Sequence, residues 1–282
     1  MNALPDTGRA GPAAHRQDDF LDRHILVTGA ASGIGAAVAR QLLARGARVS
    51  AVDLDEAGLQ RLRTHASDAA SGGADLDARL WTATLDVRDA VRVEHIVAQA
   101  EAALGPLHGL ASVAGVLEMG DVVDLEDAQW ARCFDVNATG VFHACRAVAR
   151  RLRERRAGAI AVVSSNAATT PRAGMAAYAA SKAATTQFAR CLGLELAPHG
   201  IRVNIVSPGS TDTAMQQAMW ALGSSREAVI AGDPARWRLG IPLAKIATPD
   251  EIAQAVLFLL SDQASHITLH DLRVDGGATL DQ

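Results

Sequence analysis

Aromatic residues and cysteines are scarce in this sequence, and the scarcity of cysteines argues against two kinds of protein. Aromatics make up 4% of the 282 residues, with a single tyrosine, Tyr178, so we expect a core built from Ala, Val, Leu and Ile. The three cysteines, Cys133, Cys145 and Cys191, are odd in number and lack metal-ligand spacing. They predict reduced thiols and argue against both a disulfide framework and a zinc site.

Long apolar runs and basic stripes are missing as well. No apolar run reaches the roughly 20 residues that a membrane-spanning helix needs, and the N-terminal segment lacks the apolar core of a signal peptide. We therefore expect a cytoplasmic protein in which residues 1–22 form a flexible extension. Because the net charge is −4 and no basic stripe is interleaved with aromatics, neither nucleic acid nor a membrane is an expected partner.

Short apolar runs alternate with segments of helical periodicity along residues 23–282. The predicted strands are His24–Thr28, Arg48–Asp53, Leu80–Asp86, Leu107–Gly115, Ala159–Ser164, Ile201–Val206 and Leu272–Asp275. The predicted helices are Gly33–Arg45, Asp55–His65, Ala90–Leu104, Ala128–Arg155, the segment carrying Tyr178, and Pro249–Leu260, with an irregular stretch at 224–242 and a loop at 71–73. This alternation predicts one α/β domain, a Rossmann-type doubly wound parallel sheet with helices on both faces.

A glycine-rich turn joins the first predicted strand to the first helix. Glycines permit a tight turn and close approach of a pyrophosphate to the backbone, and the helix N-terminus supplies free N–H groups. The candidate cofactor-binding residues of this turn are Gly29, Ser32, Gly33, Ile34 and Gly35.

Carboxylates end the second and third predicted strands. Asp53 can accept both ribose hydroxyls of an adenosine and would repel a 2′-phosphate, and neither Ser32 nor Leu54 supplies a cation for that phosphate. The sequence therefore favours NAD over NADP. Asp86 and Val87 are candidates for the adenine edge, although Asp86 as the cap of the following helix explains the sequence nearly as well.

Tyr178 and Lys182 lie four positions apart, on one face of a predicted helix. A neighbouring ammonium favours the phenolate, so we expect Lys182 to lower the pKa of Tyr178 and make it useful for moving protons. Ser165, at the end of the fifth predicted strand, can hold a substrate oxygen. Asn137 is a poor residue for the middle of the long helix, which predicts a local kink with a bound water.

These motifs together resemble the short-chain dehydrogenase/reductase family over about residues 23–280. The family order and spacing are matched by the glycine turn, Asn137, Ser165, Tyr178, Lys182 and the dipeptide Pro208-Gly209. The resemblance implies a nicotinamide cofactor and a homotetramer or homodimer built from the two long helices. It also implies cofactor contacts at Ala114, Gly115, Pro208, Gly209, Thr211, Thr213, Tyr178 and Lys182.

The second half of the chain is similar to one subgroup of that family, the 2,3-dihydro-2,3-dihydroxybenzoate dehydrogenases. The similar segments are Thr170–Met175, Ser207–Thr213, Gly240–Ala247 and Ser265–Leu269. This similarity implies NAD-dependent oxidation of a cyclohexadiene carboxylic acid to a catechol acid of siderophore biosynthesis. Arg172, Met175 and Gln216 are the candidate substrate residues; Arg172 is the candidate partner of the carboxylate, and Met215 and Trp220 are candidate apolar walls.

Glu118 departs from the subgroup, which commonly has arginine in this loop. If the loop faces the substrate, the charge reversal favours an amino group, and 2,3-dihydro-3-hydroxyanthranilate becomes an alternative substrate. If Glu118 points to solvent, no such change follows. A generic ketoreductase and a non-catalytic NAD-binding regulator are further alternatives; Asp53 argues against the usual NADPH-dependent ketoreductase, and the intact catalytic residues argue against the regulator.

Overall fold

Seven parallel strands form one sheet in the computed structural model, which describes residues 19–69, 76, 78–221 and 225–280. The strands are β1 (His24–Thr28), β2 (Arg48–Asp53), β3 (Leu80–Thr84), β4 (Gly109–Ser112), β5 (Gly158–Val163), β6 (Ile201–Pro208) and β7 (Asp271–Val274). Their order, β3-β2-β1-β4-β5-β6-β7, reverses direction between β1 and β4. Connections leave the sheet to opposite sides at this point, which opens a crevice at the carboxyl ends of the strands.

Helices cover both faces of the sheet, which confirms the predicted doubly wound fold. They are α1 (Gly33–Ala44), α2 (Glu56–Ala69), α3 (Ala90–Leu104), α4 (Asp127–Phe134), α5 (Val141–Arg155), α6 (Ala176–Leu196), α7 (Ala214–Ala221), α8 (Arg226–Ala231) and α9 (Pro249–Leu260). Two short helices, α7 and α8, were not predicted. They occupy segments in which the sequence shows no strong apolar periodicity.

Two aliphatic cores lie on opposite faces of the sheet. Successive side chains of a strand point to opposite faces, so Ile25 and Val27 of β1 enter one core whereas Leu26 enters the other. The first core includes Val38 of α1 and Val256 of α9, and small aliphatic residues fill it with little aromatic contribution. The predicted aliphatic core is thereby confirmed.

The domain begins to pack before residue 23. Phe20 is fully buried in the first core, and its backbone N–H donates to Arg45 O at 3.2 Å. Residues 1–18 of the predicted extension and the predicted loop at 71–73 lie outside the described residues.

The long helix predicted over Ala128–Arg155 is interrupted. A π-helical segment, Asp135–Gly140, separates α4 from α5 and contains Asn137 at its centre. A π-helical turn admits one extra residue and commonly marks a functional site. The predicted irregularity at Asn137 is confirmed, and the segment brings Gly140 so close to Val87 that an added Cβ would lie 2.5 Å from Val87 Cγ2.

Candidate active site

One cavity of about 480 Å³ lies at the carboxyl ends of the central strands. Its volume falls within the range of ligand pockets in proteins, about 300–1,000 Å³. It gathers every predicted cofactor-binding residue, which the sequence spreads over almost two hundred positions. These residues are Gly29, Ser32, Gly33, Ile34, Gly35, Asp53, Asp86, Val87, Ala114, Gly115, Tyr178, Lys182, Pro208, Gly209, Thr211 and Thr213.

The glycine turn leaves room that a side chain would fill. Gly29 has φ +70°, and an added Cβ would lie 2.7 Å from Ala114 N; at Gly35 an added Cβ would lie 2.0 Å from Gly29 O. Gly33 has φ +51° and faces Thr213, whose Cγ2 would be 3.1 Å from an added Cβ. The N-terminal N–H groups of α1 open onto this space, because Ser32 forms no side-chain cap. The turn therefore fits the pyrophosphate of a dinucleotide.

Backbone hydrogen bonds hold the carboxylate of Asp53 at the end of β2. Its Oδ2 accepts from Ala31 N and its Oδ1 accepts from Asp55 N, both at 3.0 Å. Each oxygen retains a free lone pair that can accept a ribose hydroxyl. The carboxylate thus lies at the cleft wall next to the glycine turn, as its predicted role requires.

Asp86 lines the cleft with a carboxylate that is already paired. Arg88 binds it through two nitrogens, at 2.6 and 3.0 Å. Hydrogen bonding by Arg88 holds the pKa of Asp86 below its ordinary value. Its alternative interpretation as a helix cap is wrong, because the cap of α3 is Asp89, whose side chain accepts from Arg92 N.

Thr28 ties the glycine turn to the loop after β4. Its Oγ1 accepts from the backbone N–H groups of Val113 and Ala114 at 3.1 and 3.3 Å. The loop continues to Gly115, where an added Cβ would lie 3.2 Å from Asn137 Oδ1 and 3.3 Å from Lys182 Nζ. The absence of a side chain at Gly115 thus lets these two polar groups approach each other.

Tyr178, Lys182 and Ser165 meet in the wall of the cleft. The Ser165 hydroxyl hydrogen-bonds Tyr178, and Lys182 Nζ lies 5.8 Å from the centre of the tyrosine ring. Lys182 Nζ donates to Val163 O at 3.0 Å, so the end of β5 fixes its position. Ser165 lies two residues beyond β5 and also accepts from Ala167 N at 3.1 Å.

The predicted net fall in the pKa of Tyr178 is wrong for this structure. Burial raises the pKa of the Tyr178 hydroxyl above its ordinary value and outweighs the Ser165 hydrogen bond, which lowers it. Burial also lowers the pKa of Lys182 to about 8. A low-dielectric environment disfavours the charged form of both groups, and the sequence spacing did not reveal this desolvation.

Asn137 does not line the cleft but supports it from behind. Its Oδ1 accepts from Val116 N at 2.8 Å, while its Nδ2 donates to Val116 O and Ser181 Oγ at 2.9 and 3.0 Å. Its backbone carbonyl accepts from Thr185 Oγ1. The side chain makes three of its four possible hydrogen bonds in joining the loop after β4 to α6, so any water that Asn137 anchors must bind a remaining lone pair of Oδ1 or of the backbone carbonyl.

The substrate candidates lie at the far end of the same cleft. Arg172, Met175 and Gln216 line it, together with Met215 and Met219 of α7. Trp220, predicted as an apolar wall, packs instead against a small third core with Val229 and Ile241. Gln216 is 8% exposed, and its Nε2 has no hydrogen-bond partner among the described residues.

Glu118 neither faces the substrate end of the cleft nor points freely to solvent. Its carboxylate accepts from Arg132 Nη1 at 2.8 Å, and its side chain is 17% exposed. Arg132, rather than Glu118, lines the cleft. The negative charge that Glu118 introduces is therefore balanced locally by Arg132 of α4.

Sequence reasoning missed three arginines of the cleft: Arg88, which pairs with Asp86, and Arg132 and Arg238. Arg132 lies on an exposed turn of a helix, where arginine is common and carries no signal. Arg238 lies in the stretch that was predicted to be irregular, where no periodicity indicates which side chains turn inward.

Other kinds of site find no support in the described part of the chain. No group of histidine, cysteine or carboxylate side chains there could hold a metal ion. None of its helices has the length and hydropathy required to cross a membrane. All three cysteines are free thiols, as predicted.

Comparison with known proteins identifies relatives along almost the whole chain. The family model of the short chain dehydrogenases matches residues 23–222. A 2,3-dihydro-2,3-dihydroxybenzoate dehydrogenase of Bacillus subtilis is 50% identical over 254 residues, which cover 90% of this chain and 95% of the relative. The vibriobactin-specific 2,3-dihydro-2,3-dihydroxybenzoate dehydrogenase of Vibrio cholerae is 48% identical, with 93% of this chain and 98% of the relative covered.

Solved structures share the fold. A "Short-chain dehydrogenase/reductase SDR:Glucose/ribitol dehydrogenase" from Brucella melitensis superposes with a TM-score of 0.82 at 31% identity. The superposition covers 94% of this chain and 100% of that one. The same fold thus occurs in a protein of similar sequence.

Proposed function

The chain belongs to the short-chain dehydrogenase family, and we propose that it oxidises 2,3-dihydro-2,3-dihydroxybenzoate to 2,3-dihydroxybenzoate with NAD, in the synthesis of a catechol siderophore. Members of this family are oxidoreductases that use a nicotinamide cofactor. One observation carries the proposal: Tyr178, Ser165 and Lys182 meet in the cleft that also contains the glycine turn. The names of the two relatives support the choice of substrate.

In the proposed mechanism, the residues of this chain hold one oxygen and move one proton. Tyr178 accepts the proton of the ring hydroxyl, and Ser165 donates a hydrogen bond to the same oxygen. Lys182 stabilises the phenolate that Tyr178 must become, and it holds the ribose next to the nicotinamide. The bound nicotinamide supplies one chemistry, acceptance of the hydride from the ring carbon. The resulting ketone tautomerises to the aromatic ring, which makes the oxidation strongly favourable.

Asn137 and the remaining cofactor-binding residues position the loop after β4, a water and the cofactor. Asn137 fixes the loop at Val116 and would anchor a water that passes the proton out of the site. Thr211 and Thr213 would hold the carboxamide and the pyrophosphate, and Asp86 and Val87 would bind the adenine edge. The contacts of Asn137 with Val116 and Ser181 support this assignment.

NAD is proposed over NADP because of the cleft wall beside the adenosine. The carboxylate of Asp53 can accept ribose hydroxyls and would lie against a 2′-phosphate. Leu54, the neighbouring cleft residue, offers no compensating charge. Like charges at close range are unfavourable, so the dinucleotide without the extra phosphate is preferred.

The amino analogue as substrate is not favoured. That alternative required the carboxylate of Glu118 to face the substrate, but Arg132 neutralises it at 2.8 Å. An ammonium on the substrate would find no unpaired carboxylate there.

We propose a homotetramer or homodimer, built from α4, α5 and α6, that acts in the cytoplasm. Exposed apolar residues on these helices support assembly: Trp130 is 46% exposed and Leu194 is 68% exposed. The three unpaired cysteines suit a reducing compartment.

The direct test is turnover of 2,3-dihydro-2,3-dihydroxybenzoate with NAD, followed by the absorbance of the reduced nicotinamide. Tyr178→Phe removes only the hydroxyl, and we expect turnover to fall by about 10²–10⁴-fold, the usual contribution of general acid–base catalysis. NADH affinity, measured by fluorescence titration, should change little. Phe188→Tyr is a control for an aromatic change outside the cleft, and it should keep full activity.

Two results contradict this proposal. Normal turnover by Tyr178→Phe would exclude the proton transfer assigned to Tyr178. Turnover of the amino analogue, but not of the dihydroxy acid, by the unmodified chain would exclude the assigned substrate.

A further inference from the structure

A ring carboxylic acid, the substrate of the proposed function on which this inference rests, needs a cation or N–H donors for its carboxylate. Among the described residues, four arginines line the cleft, and two of them already bind carboxylates. Arg88 binds Asp86 at 2.6 Å, and Arg132 binds Glu118 at 2.8 Å. A substrate carboxylate would have to displace these partners.

Arg238 differs because no carboxylate of the described residues forms an ion pair with it. Its Nη2 donates to the neutral hydroxyl of Ser210 at 3.3 Å. The guanidinium is half-buried, and burial lowers the pKa of Arg238 from its ordinary value. The carboxylate of Asp233 offsets this shift only in part and forms no ion pair with Arg238, so an anion bound beside the partly desolvated cation would be stabilised.

The backbone around Arg238 is built tightly enough to hold it in place. Asp233 and Arg238 exchange two backbone hydrogen bonds, both of 2.9 Å. Gly232 has φ +85°, and an added Cβ there would lie 2.5 Å from Gly240 N. Trp237 has φ +56° and is 94% exposed, so the chain turns this side chain outward immediately before Arg238 turns into the cleft. Because the backbone around Arg238 is already ordered, little conformational entropy is lost there when an anion binds.

Gln216 adds an independent indication of a ligand. Its side chain lines the same cleft and is more than nine-tenths buried, yet its Nε2 amide has no hydrogen-bond partner in the described part of the chain. Buried donors are normally satisfied, and leaving one unpaired costs about 1–3 kcal/mol. A carboxylate oxygen of a substrate would supply the missing acceptor.

We propose that Arg238 and Gln216 form the subsite for the substrate carboxylate, with Arg238 as its charged partner. This replaces the role predicted for Arg172, which also lines the cleft but already interacts with another group. The ring hydroxyl then lies toward Tyr178 and the carboxylate toward α7 and the segment after α8. The subsite selects ring acids over neutral ring diols.

Binding to the NADH-loaded protein tests the subsite without turnover. Titration calorimetry compares 2,3-dihydroxybenzoate with catechol, which has the same ring but no carboxylate. We expect the unmodified protein to bind the acid at least about tenfold more tightly, and Arg238→Gln to reduce this preference to about twofold or less. Gln216→Leu should reduce the preference by a smaller factor.

Matched variants separate Arg238 from its neighbours. Arg236→Gln makes the same charge change two residues away, outside the cleft, and should keep the full preference for the acid. Arg238→Lys retains the charge and should retain part of it, which covers the case that Arg238→Gln does not fold. In the dehydrogenase assay, Arg238→Gln should raise the KM of the ring acid about tenfold and leave the KM of NAD unchanged.

Several outcomes overturn the subsite, and they differ from failure of the proposed function. Equal binding of acid and catechol by the unmodified protein overturns it, as does an unchanged preference in both Arg238 variants. Loss of preference in Arg172→Gln alone returns the role to Arg172. A matching loss of NADH affinity in Arg238→Gln assigns the bound anion to the cofactor pyrophosphate. Absence of turnover with the ring acid contradicts the function, while the calorimetry still decides the subsite.

Discussion

Burial of individual side chains controls the charges in the cleft. Tyr178 and Lys182 are both removed from water, and this favours the neutral form of each. Asp86 is kept ionised by Arg88, whereas Arg238 remains without a paired carboxylate in the described residues. The cleft therefore has a cation where the carboxylate of a ring acid would bind, and where its hydroxyl would react it has a phenol that must first lose its proton.

Asp53 provides the prediction at the scale of one residue. Asp53→Asn removes the charge but keeps an oxygen that can accept from Ala31 N or Asp55 N. Because the repulsion of a 2′-phosphate disappears, we expect the ratio of kcat/KM for NAD to that for NADP to fall by about tenfold or more. Steady-state assays with both cofactors measure the ratio.

Glu56→Gln is the matched control for Asp53. It removes a charge from an exposed position of α2 that does not line the cleft, and it should leave the ratio unchanged. An unaltered ratio in Asp53→Asn would show that Asp53 does not select the cofactor.

At the scale of secondary-structure elements, the turns and junctions between strands and helices shape the cleft. The turn from β1 to α1 closes because Gly35 has no side chain next to Gly29 O. The π-helical segment interrupts the long helix at Asn137, whose side chain hydrogen-bonds Val116. Helical periodicity predicted the two ends of that helix. The interruption depends on contacts with the loop after β4, which are distant in sequence and leave no periodic signal.

Gly35→Ala should disrupt the turn. The new Cβ would start 2.0 Å from Gly29 O, so the backbone must move, and we expect the dissociation constant of NADH to rise by about tenfold or more. Gly120→Ala is the control, since its nearest neighbour, Leu125 Cδ1, would lie at an ordinary 3.5 Å. Fluorescence titration with NADH distinguishes the two; equal affinity would mean that the turn does not hold the cofactor.

His24 joins β1, β2 and the end of α3 and makes the protein sensitive to acid. Its Nδ1 donates to Gly105 O at 2.7 Å, which leaves Nε2 to accept from the Ser50 hydroxyl at 2.8 Å. Burial lowers the pKa of His24 to about 4; the hydrogen bond to Gly105 and the charge of Glu101 oppose this shift, and Arg48 and His108 add to it. Protonation of Nε2 would remove the only hydrogen-bond acceptor of the His24 ring and break its bond with the Ser50 hydroxyl.

The unfolded chain binds this proton with a pKa of about 6.5, so it takes up the proton first as the pH falls. His24 therefore contributes full stability above about pH 6.5 and loses it as the pH falls toward about 4, for a total of about 3 kcal/mol. Urea unfolding across this range, at one protein concentration, measures the slope. His24→Asn should flatten it and the exposed His65→Asn should not; an unchanged slope in His24→Asn would assign the acid sensitivity elsewhere.

The whole molecule presents an apolar face beyond the cleft. Phe142 is 38% exposed on α5; Arg146 lies 4.6 Å above its ring, and Phe188 of α6 packs edge-on at 5.8 Å. Arg146 Nε is buried without a hydrogen-bond partner in the described chain. In the proposed assembly, a second copy of the chain covers this face and supplies an acceptor.

Phe142→Glu tests this face. A buried carboxylate at the interface is unfavourable, so we expect light scattering to detect a smaller species than for the unmodified protein. Val91→Glu makes the same charge change at an 81% exposed position of α3 and should keep the assembly intact. An unchanged mass for Phe142→Glu would place the contact between copies elsewhere.

The sequence by itself determined the parallel sheet, the glycine turn, Asp53 and the pairing of Tyr178 with Ser165 and Lys182. These features depend on local spacing and on the rule that strand ends meet at one edge of a parallel sheet. Only the tertiary structure decided the direction of the Tyr178 pKa, the partner of Glu118 and the inward turn of Arg238. Desolvation and ion pairing arise between segments far apart in the chain, so they exist only once the chain has folded.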